Sequence, residues 1–213
     1  MSEQRRHRLR LEISREASRL FWEHGVAATS GDQIARAVGL STRTVWRHFR
    51  SKESCAEPIV TQGVEWEMAV LRGWPRHLSL EEHFASEVDK YDQDADSADT
   101  LLAMKMIRLA ENEPSIRTAW LMACDQVERE MIAIVAKRLA RPVDDIGVRL
   151  RGAAASAAFR VVNEDIGAAV LRGADPREFA DVSLRVAHAV RNAVGGDIGD
   201  PVSPEPDLLD RPF

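Results

Sequence analysis

Apolar residues along this chain recur three and four positions apart in segment after segment, punctuated by Gly, Pro and capping residues. No segment sustains the period-two alternation of Val, Ile, Thr and aromatic residues that a strand requires, so the expected fold class is all-α. With 213 residues, the chain can bury roughly 70% of its unfolded surface and needs no covalent staples. Cys55 and Cys124 are too few for a disulfide framework or a cysteine zinc site. Hydrophobic residues at 45% and charged residues at 30% exclude disorder along the whole length. No apolar run approaches the roughly 18 residues that span a bilayer, so no membrane partner is expected. Residues 1–10 are polar and basic with no apolar stretch behind them, which predicts no secretory signal and a cytoplasmic location.

Breakers and caps predict about nine helices. A first helix runs to about His24 with Ile13, Ala17, Leu20 and Phe21 on one face, a fraying basic start (Arg5, Arg6, Arg8, Arg10) and Gly25 as its left-handed terminator. A second covers residues 31–38, Gly39 makes a tight turn, and a third opens at Thr42 with Ser41 as N-cap. A fourth is capped by Ser51 and reaches about Arg72, kinked by Pro58 one turn inside it, before Gly73-Trp74-Pro75 breaks the chain. Ser79-Leu80-Glu81-Glu82 caps a fifth helix that ends near the acidic stretch 92–99. A sixth spans about 100–111, a seventh runs from Pro114 to before Pro142, and an eighth covers about 146–172. Asp175-Pro176 opens a ninth that Gly195-Gly196 closes. The predicted organisation is a head over residues 1–50, a body over 51–195 and a disordered acidic, Pro-rich tail over 196–213.

The net charge of -5 conceals an asymmetry. Residues 1–52 carry 11 Lys+Arg against 5 Asp+Glu, and the remainder carries 18 against 29. A basic head on an acidic body attracts a polyanion at one end, and nucleic acid is the leading partner. Within the head, Ile34, Ala35, Val38, Leu40, Val45 and Phe49 fall where two short helices cross over the first. The second of the pair then exposes Thr42, Arg43, Thr44, Arg47 and His48, donors of the kind that meet base edges and phosphates. The same residues also suit a solvated helix hairpin in an all-α core.

The run from Ala28 through Gly31-Asp32-Gln33-Ile34-Ala35-Arg36-Ala37-Val38-Gly39-Leu40-Ser41 to Thr42-Arg43-Thr44-Val45-Trp46-Arg47-His48-Phe49-Arg50-Ser51-Lys52 resembles the DNA-binding domain of the tetracycline-repressor (TetR) family. Length and helix layout agree with that architecture beyond the motif. The resemblance implies that Thr42, Arg43 and Thr44 face bases, that Trp46 and His48 contact phosphates, that Phe49 stays in the core and that Lys52 grips the DNA backbone. The family usually has Tyr where this chain has Trp46, so a phenol hydroxyl becomes an indole N–H that donates but cannot accept. The resemblance further implies that the helices after the fourth form a ligand-binding and dimerisation domain.

The eighth helix carries Ala153 to Ala158 and Ala168-Ala169, small on nearly every face. A close-packed seam with a second subunit follows, through Ala153, Ala157 and Val161 with Val186 and Ala189 of the ninth helix; the alternative is one buried helix in a monomer. Trp66, Met104, Ile107 and Trp120, with Trp74, Phe84 and Met122, can line a cavity for an apolar or amphipathic effector or simply fill a core. Arg108 can meet an anionic ligand group or pair with Glu111.

Enzyme signatures are missing: there is no Gly-x-Gly-x-x-Gly, Walker loop, Gly-x-Ser-x-Gly or His-Glu-x-x-His. His77 and His83 lack ligand-pair spacing, and Glu164 and Asp165 are adjacent on a helix and point apart, so no catalytic residue, metal or cofactor is expected. The expected function is a homodimeric, ligand-responsive regulator, a repressor that binds a palindromic double-stranded DNA operator and is released by a small molecule. An architectural DNA-binding protein without an effector and a helical interaction module with a vestigial head are the alternatives.

Overall fold

The computed structural model describes residues 2–88, 93–172 and 180–201, which are helical with no strand among them. The head comprises α1 (Glu3–His24), α2 (Gly31–Ala37) and α3 (Thr42–His48). A 3-10 turn (Glu53–Ala56) leads into α4 (Glu57–Gly63) and α5 (Glu65–Gly73), and the body continues through α6 (Leu80–Val88), α7 (Gln93–Leu109), α8 (Pro114–Leu139), α9 (Ile146–Leu171), α10 (Ala180–Val194) and α11 (Gly196–Gly199).

Several boundaries differ from expectation for identifiable reasons. The start of α1 is helical to Glu3, N-capped by the Ser2 hydroxyl, which accepts from Arg5 N–H. The expected fourth helix is divided. Ser51 does cap, its hydroxyl accepting from Ser54 N–H at 3.2 Å, but the turn it caps is 3-10. Pro58 therefore falls in the opening positions of α4, where its missing N–H costs nothing, and the interruption lies at Val64 instead. The acidic stretch does not separate two helices, since α7 begins at Gln93; acidic residues are favoured in a first turn, where N–H groups are unpaired. Gly25 and Gly39 end their segments at φ 84° and 66°, a region that favours glycine.

The core is continuous from head to body. Ile13, Ala17 and Phe21 of α1 are fully buried, as are Ile34, Val45, Ile59, Phe84, Trp120 and Phe159. The head is tied to the body at three places on α1. The Ser14 hydroxyl accepts from Ile59 N–H at 3.0 Å. Arg15 makes a two-pronged ion pair with Asp99 of α7 at 2.8 and 2.7 Å, and Lys105 of α7 lies 5.5 Å from the Trp22 ring centre.

Small residues on α9 serve this chain's own packing first. A Cβ on Gly152 would lie 2.5 Å from Ile132 of α8, and Ala155 and Ser156 are buried in the same seam. Val186, expected at a subunit interface, is fully buried, because α10 turns that face onto its own core.

The segment after Gly195 is not a loose tail at its beginning. Arg138 is buried, stacks 3.4 Å from the Trp74 ring centre and donates to the carbonyls of Pro75, Ile198 and Asp200 at 3.0, 3.0 and 2.9 Å. Burial pulls its pKa down to about 10, so it stays charged at neutral pH and straps α11 to the α5–α6 connection. The rest of the expected tail, residues 202–213, lies outside the described residues.

His48 belongs to this account of packing and not to a solvent face. It is 8% exposed, and both ring nitrogens are sealed without a hydrogen-bond partner. Desolvation, then Arg47, Arg6 and Arg10, hold its pKa below the ordinary imidazole value. The folded head therefore keeps a neutral ring while the unfolded chain takes up a proton as pH falls through about 6.5. The stability this confers is present above that pH and is lost below it, until the folded ring itself titrates. Melting temperature should fall between neutral and mildly acidic pH, and His48→Gln should flatten that slope; identical slopes in the two proteins would show that His48 is not the group responsible.

Candidate nucleic-acid interface

Local capping builds the α2–α3 pair. Ser30 opens α2 with a reciprocal box, Gln33 N–H donating to its hydroxyl at 3.2 Å and Ser30 N–H donating to the Gln33 side chain at 2.7 Å. Ser41 caps α3 by accepting from Thr44 N–H at 3.2 Å. Val45 and Phe49 turn inward, which leaves Arg43, Trp46 and Arg47 on the opposite, exposed side of α3 at helical spacing, with Arg50 exposed just past its end.

Among the described residues, neither Arg43 nor Arg47 has an ion-pair partner, whereas Arg50 is paired with Glu57. Trp46 is 42% exposed, and its ring lies against the start of α2 so closely that a Cβ on Gly31 would sit 2.1 Å from it. Gly31 is therefore needed for that approach. The hydroxyls of Thr42 and Thr44 are already engaged. Thr42 donates to Asp32 at 2.6 Å, and the Ser41 and Thr44 hydroxyls are 2.9 Å apart. Both threonines are half-buried, so a base contact from either requires its hydroxyl to be shared or released.

Lys52 is engaged elsewhere than expected. Its ammonium donates to the carbonyls of Val26 and Thr29, each at 2.7 Å, closing the α1–α2 connection against the turn after α3. It acts there as a positioning residue. Arg10 has a parallel role: it donates to the His48 carbonyl at 2.7 Å and lies 4.7 Å from the Phe49 ring centre, neutralising the C-terminal end of α3. Sequence reasoning missed both anchors because each joins residues more than twenty positions apart. The odd placement of a cation next to Ser51 was the only signal for Lys52.

The expected ligand-contact residues of the body do not gather as one set. Trp120 is fully buried and donates its ring N–H to Glu164 at 2.8 Å, and the same carboxylate accepts from Arg117 at 2.6 Å and Arg160 at 3.1 Å. Those donors hold the Glu164 carboxyl below its ordinary value against the opposing effect of burial. Asp165 pairs with Arg185, so the two adjacent acids do point apart. Ile107 is buried, and Met104 packs its backbone against Gly167 of α9. Arg108 is paired with Glu111 and is not held ready for an anion. Trp66 is half-buried, edge-on to Phe84 with ring centres 6.2 Å apart.

Among the described residues no group of three or more His, Cys, Asp or Glu side chains could hold a metal. His83 is buried against the Val70 carbonyl at 2.8 Å and is not the solvated histidine its surroundings in sequence suggest. Burial pushes both thiols up to about 12, so neither Cys55 nor Cys124 is a nucleophile at neutral pH. No helix of the described residues is long and apolar enough to cross a membrane.

Residues 13–59 match the family described as bacterial regulatory proteins, tetR family. That stretch holds α2, α3, the Lys52 anchor and the body-facing half of α1. The chain is 31% identical over 143 residues to the HTH-type transcriptional regulator TcmR of Streptomyces glaucescens, a match over 65% of this chain and 63% of TcmR, so it spans less than two thirds of that curated relative. Solved structures of similar fold include Salmonella enterica GusR, with 17% identity, TM-score 0.53, and coverage of 87% of this chain and 94% of that one. A second is the multidrug binding protein EbrR complexed with imidazole, with 16% identity, TM-score 0.54, and coverage of 94% and 98%. A tetR-family protein from Mesorhizobium loti matches with 19% identity and TM-score 0.51 over 91% of this chain and 97% of its own. Residues 13–59 belong to the tetR family by that match, and the chain is similar to the regulator TcmR in sequence and to these solved structures in fold.

Proposed function

We propose that the chain is a homodimeric repressor that binds a palindromic operator and leaves it when a small apolar or amphipathic molecule occupies the body. The observation that carries the reading is the outer face of α3. Arg43, Trp46 and Arg47 are exposed at helical spacing, and the two arginines have no ion-pair partner among the described residues. The helix that carries them is fixed by Ser41, Arg10 and its buried side. Arginine side chains so placed suit major-groove bases and phosphates, and Trp46 can donate its N–H to a phosphate.

A second copy would cover the outer side of α9. Ile146, Leu150 and Val161 are 66%, 64% and 54% exposed, and Ala157 lies between them on the same side. Ala153 and Ala189 are half-buried at its margin. Such an apolar stripe on a surface otherwise rich in charge marks an interaction site, and a two-fold dimer would present two α3 helices to successive half-sites.

Ligand control would act through α1. The ties from α4 and α7 to Ser14, Arg15 and Trp22 mean that a shift of either body helix carries the head with it. A ligand that prefers the shifted state lowers operator affinity by its preference and no more.

Arg43→Ala should weaken operator binding by about 1–3 kcal/mol and relax sequence preference at the base it reads, measured by competition between operator and single-base variants; equal weakening on all sequences would assign Arg43 to phosphate. Ala157→Arg should convert the dimer to monomer in light scattering by placing a charge in the seam, and an unchanged dimer would put the interface elsewhere.

A further inference from the structure

The hydroxyl of Thr42 has a single proton, and that proton is committed. It is donated to the Asp32 carboxylate at 2.6 Å, a partner that can only accept. In its remaining directions the Thr42 oxygen offers lone pairs alone. The Ser41 and Thr44 hydroxyls, 2.9 Å apart, differ: one proton lies between them and the other is left to donate outward.

Asp32 is an acid on a basic surface. It is exposed in the first turn of α2, and among the described residues no Lys or Arg side chain pairs with its carboxylate, whose one hydrogen bond is the one from Thr42. Arg36, one turn later, is spaced for such a pair, yet its Nε donates to the backbone carbonyl of Asp32 at 3.3 Å. The two helices meet along one edge. Thr42 and Trp46 are four residues apart on α3, one above the other. Trp46 lies over Gly31, and Thr42 is bonded to the next residue, Asp32. The carboxylate is thereby held beside the N-terminal end of α3, the end from which a groove-reading helix meets base edges. Set against a phosphate, a carboxylate there would oppose binding. Set against a base edge, it is an acceptor.

We propose that Asp32 and Thr42 form an acceptor-only pair that reads an exocyclic amino group, adenine N6 or cytosine N4, at one position of each half-site. Asp32 is the positioning residue: by taking the proton of Thr42 it fixes which way the hydroxyl points. The proposal rests on the DNA-reading role given to α3 above and adds the chemistry of one base position. In the major groove the amino groups of adenine and cytosine are the donors, whereas guanine O6 and N7 and thymine O4 are acceptors. A guanine or thymine on the contacted strand therefore sets acceptor against acceptor, and the pair discriminates by rejecting those bases as well as by bonding the others.

The test uses the full-length protein and the double-stranded sequence it selects from a random pool, with each base of the half-site substituted symmetrically. Affinities are compared for the unsubstituted protein, Thr42→Val, which removes the hydroxyl at constant shape, Thr42→Ser, which keeps it, and Asp32→Asn. The expected result is one position where the unsubstituted protein prefers adenine or cytosine by about fivefold or more, and where Thr42→Val and Asp32→Asn each reduce that preference below about twofold. Thr42→Ser should retain it. Preference for guanine or thymine at the position that responds to Thr42→Val would overturn the proposal, as would equal weakening on every sequence. An Asp32→Asn variant whose only change is a lower melting temperature would also overturn it, since that is the result expected of an acid that merely stabilises the first turn of α2. If Asp32→Asn does not fold, the comparison of Thr42→Val with Thr42→Ser decides. A pool from which no sequence is selected would overturn the DNA-reading role of α3 together with the proposal. A selected two-fold symmetric sequence with no position coupled to Thr42 would overturn the proposal and leave that role standing.

Discussion

Everything in this molecule depends on α1 being packed on two sides at once. Ile13, Ala17 and Phe21 are fully buried in the core that continues into α2 and α3 through Ile34 and Val45, while Ser14, Arg15 and Trp22 receive α4 and α7. Here Ser14 and Ser18 are both buried, and the Ser14 hydroxyl replaces an intrahelical partner for the Ile59 N–H. The exposed Arg15–Asp99 pair adds little stability by itself in water. Its value is directional, since two parallel hydrogen bonds set the rotation of α1 against α7. A change in the body therefore has a defined route to α3.

The head is organised before it meets a partner. Ser30, Ser41, Lys52 and Arg10 satisfy the ends of α2 and α3 and the connection before them, using groups drawn from four separate stretches of chain. Two short helices of seven residues each are unstable alone, so this network and the buried Val45 and Phe49 are what hold Arg43, Trp46 and Arg47 in one arrangement. Ordering entropy already paid in the free protein is not charged again on binding. Gly31 shows how tight the arrangement is, because even a methyl group there would displace Trp46.

Features whose causes are local were legible in the sequence. The Ser30 and Ser41 caps, the Gly39 turn and the inward set Ile34, Val45 and Phe49 follow from residues within a few positions of one another. Features set by distant partners were not. Lys52 reads as a phosphate ligand until the Val26 and Thr29 carbonyls are seen to hold it, and His48 reads as exposed although its ring is buried. Pro58 reads as a kink because its cost depends on where the preceding turn ends, which Ser54 and Ser51 decide. Val186 fits either side of α10 by periodicity, and packing chose the inner one. Arg138, similarly, is an unremarkable cation near a helix end until α11 folds back onto it.

The central claim is that α3 and the arginines around it form a DNA-reading edge. It is tested most directly by the salt dependence of affinity for the double-stranded sequence that the full-length protein selects from a random pool. With Arg43, Arg47 and the basic start of α1 engaged in each subunit, roughly 6–10 phosphates should be neutralised per dimer, so the logarithm of affinity should fall with the logarithm of salt at about 0.9 per contact. A steep negative slope on a selected, two-fold symmetric sequence is the predicted result. A slope near zero, or a pool from which no sequence is selected, would contradict the account.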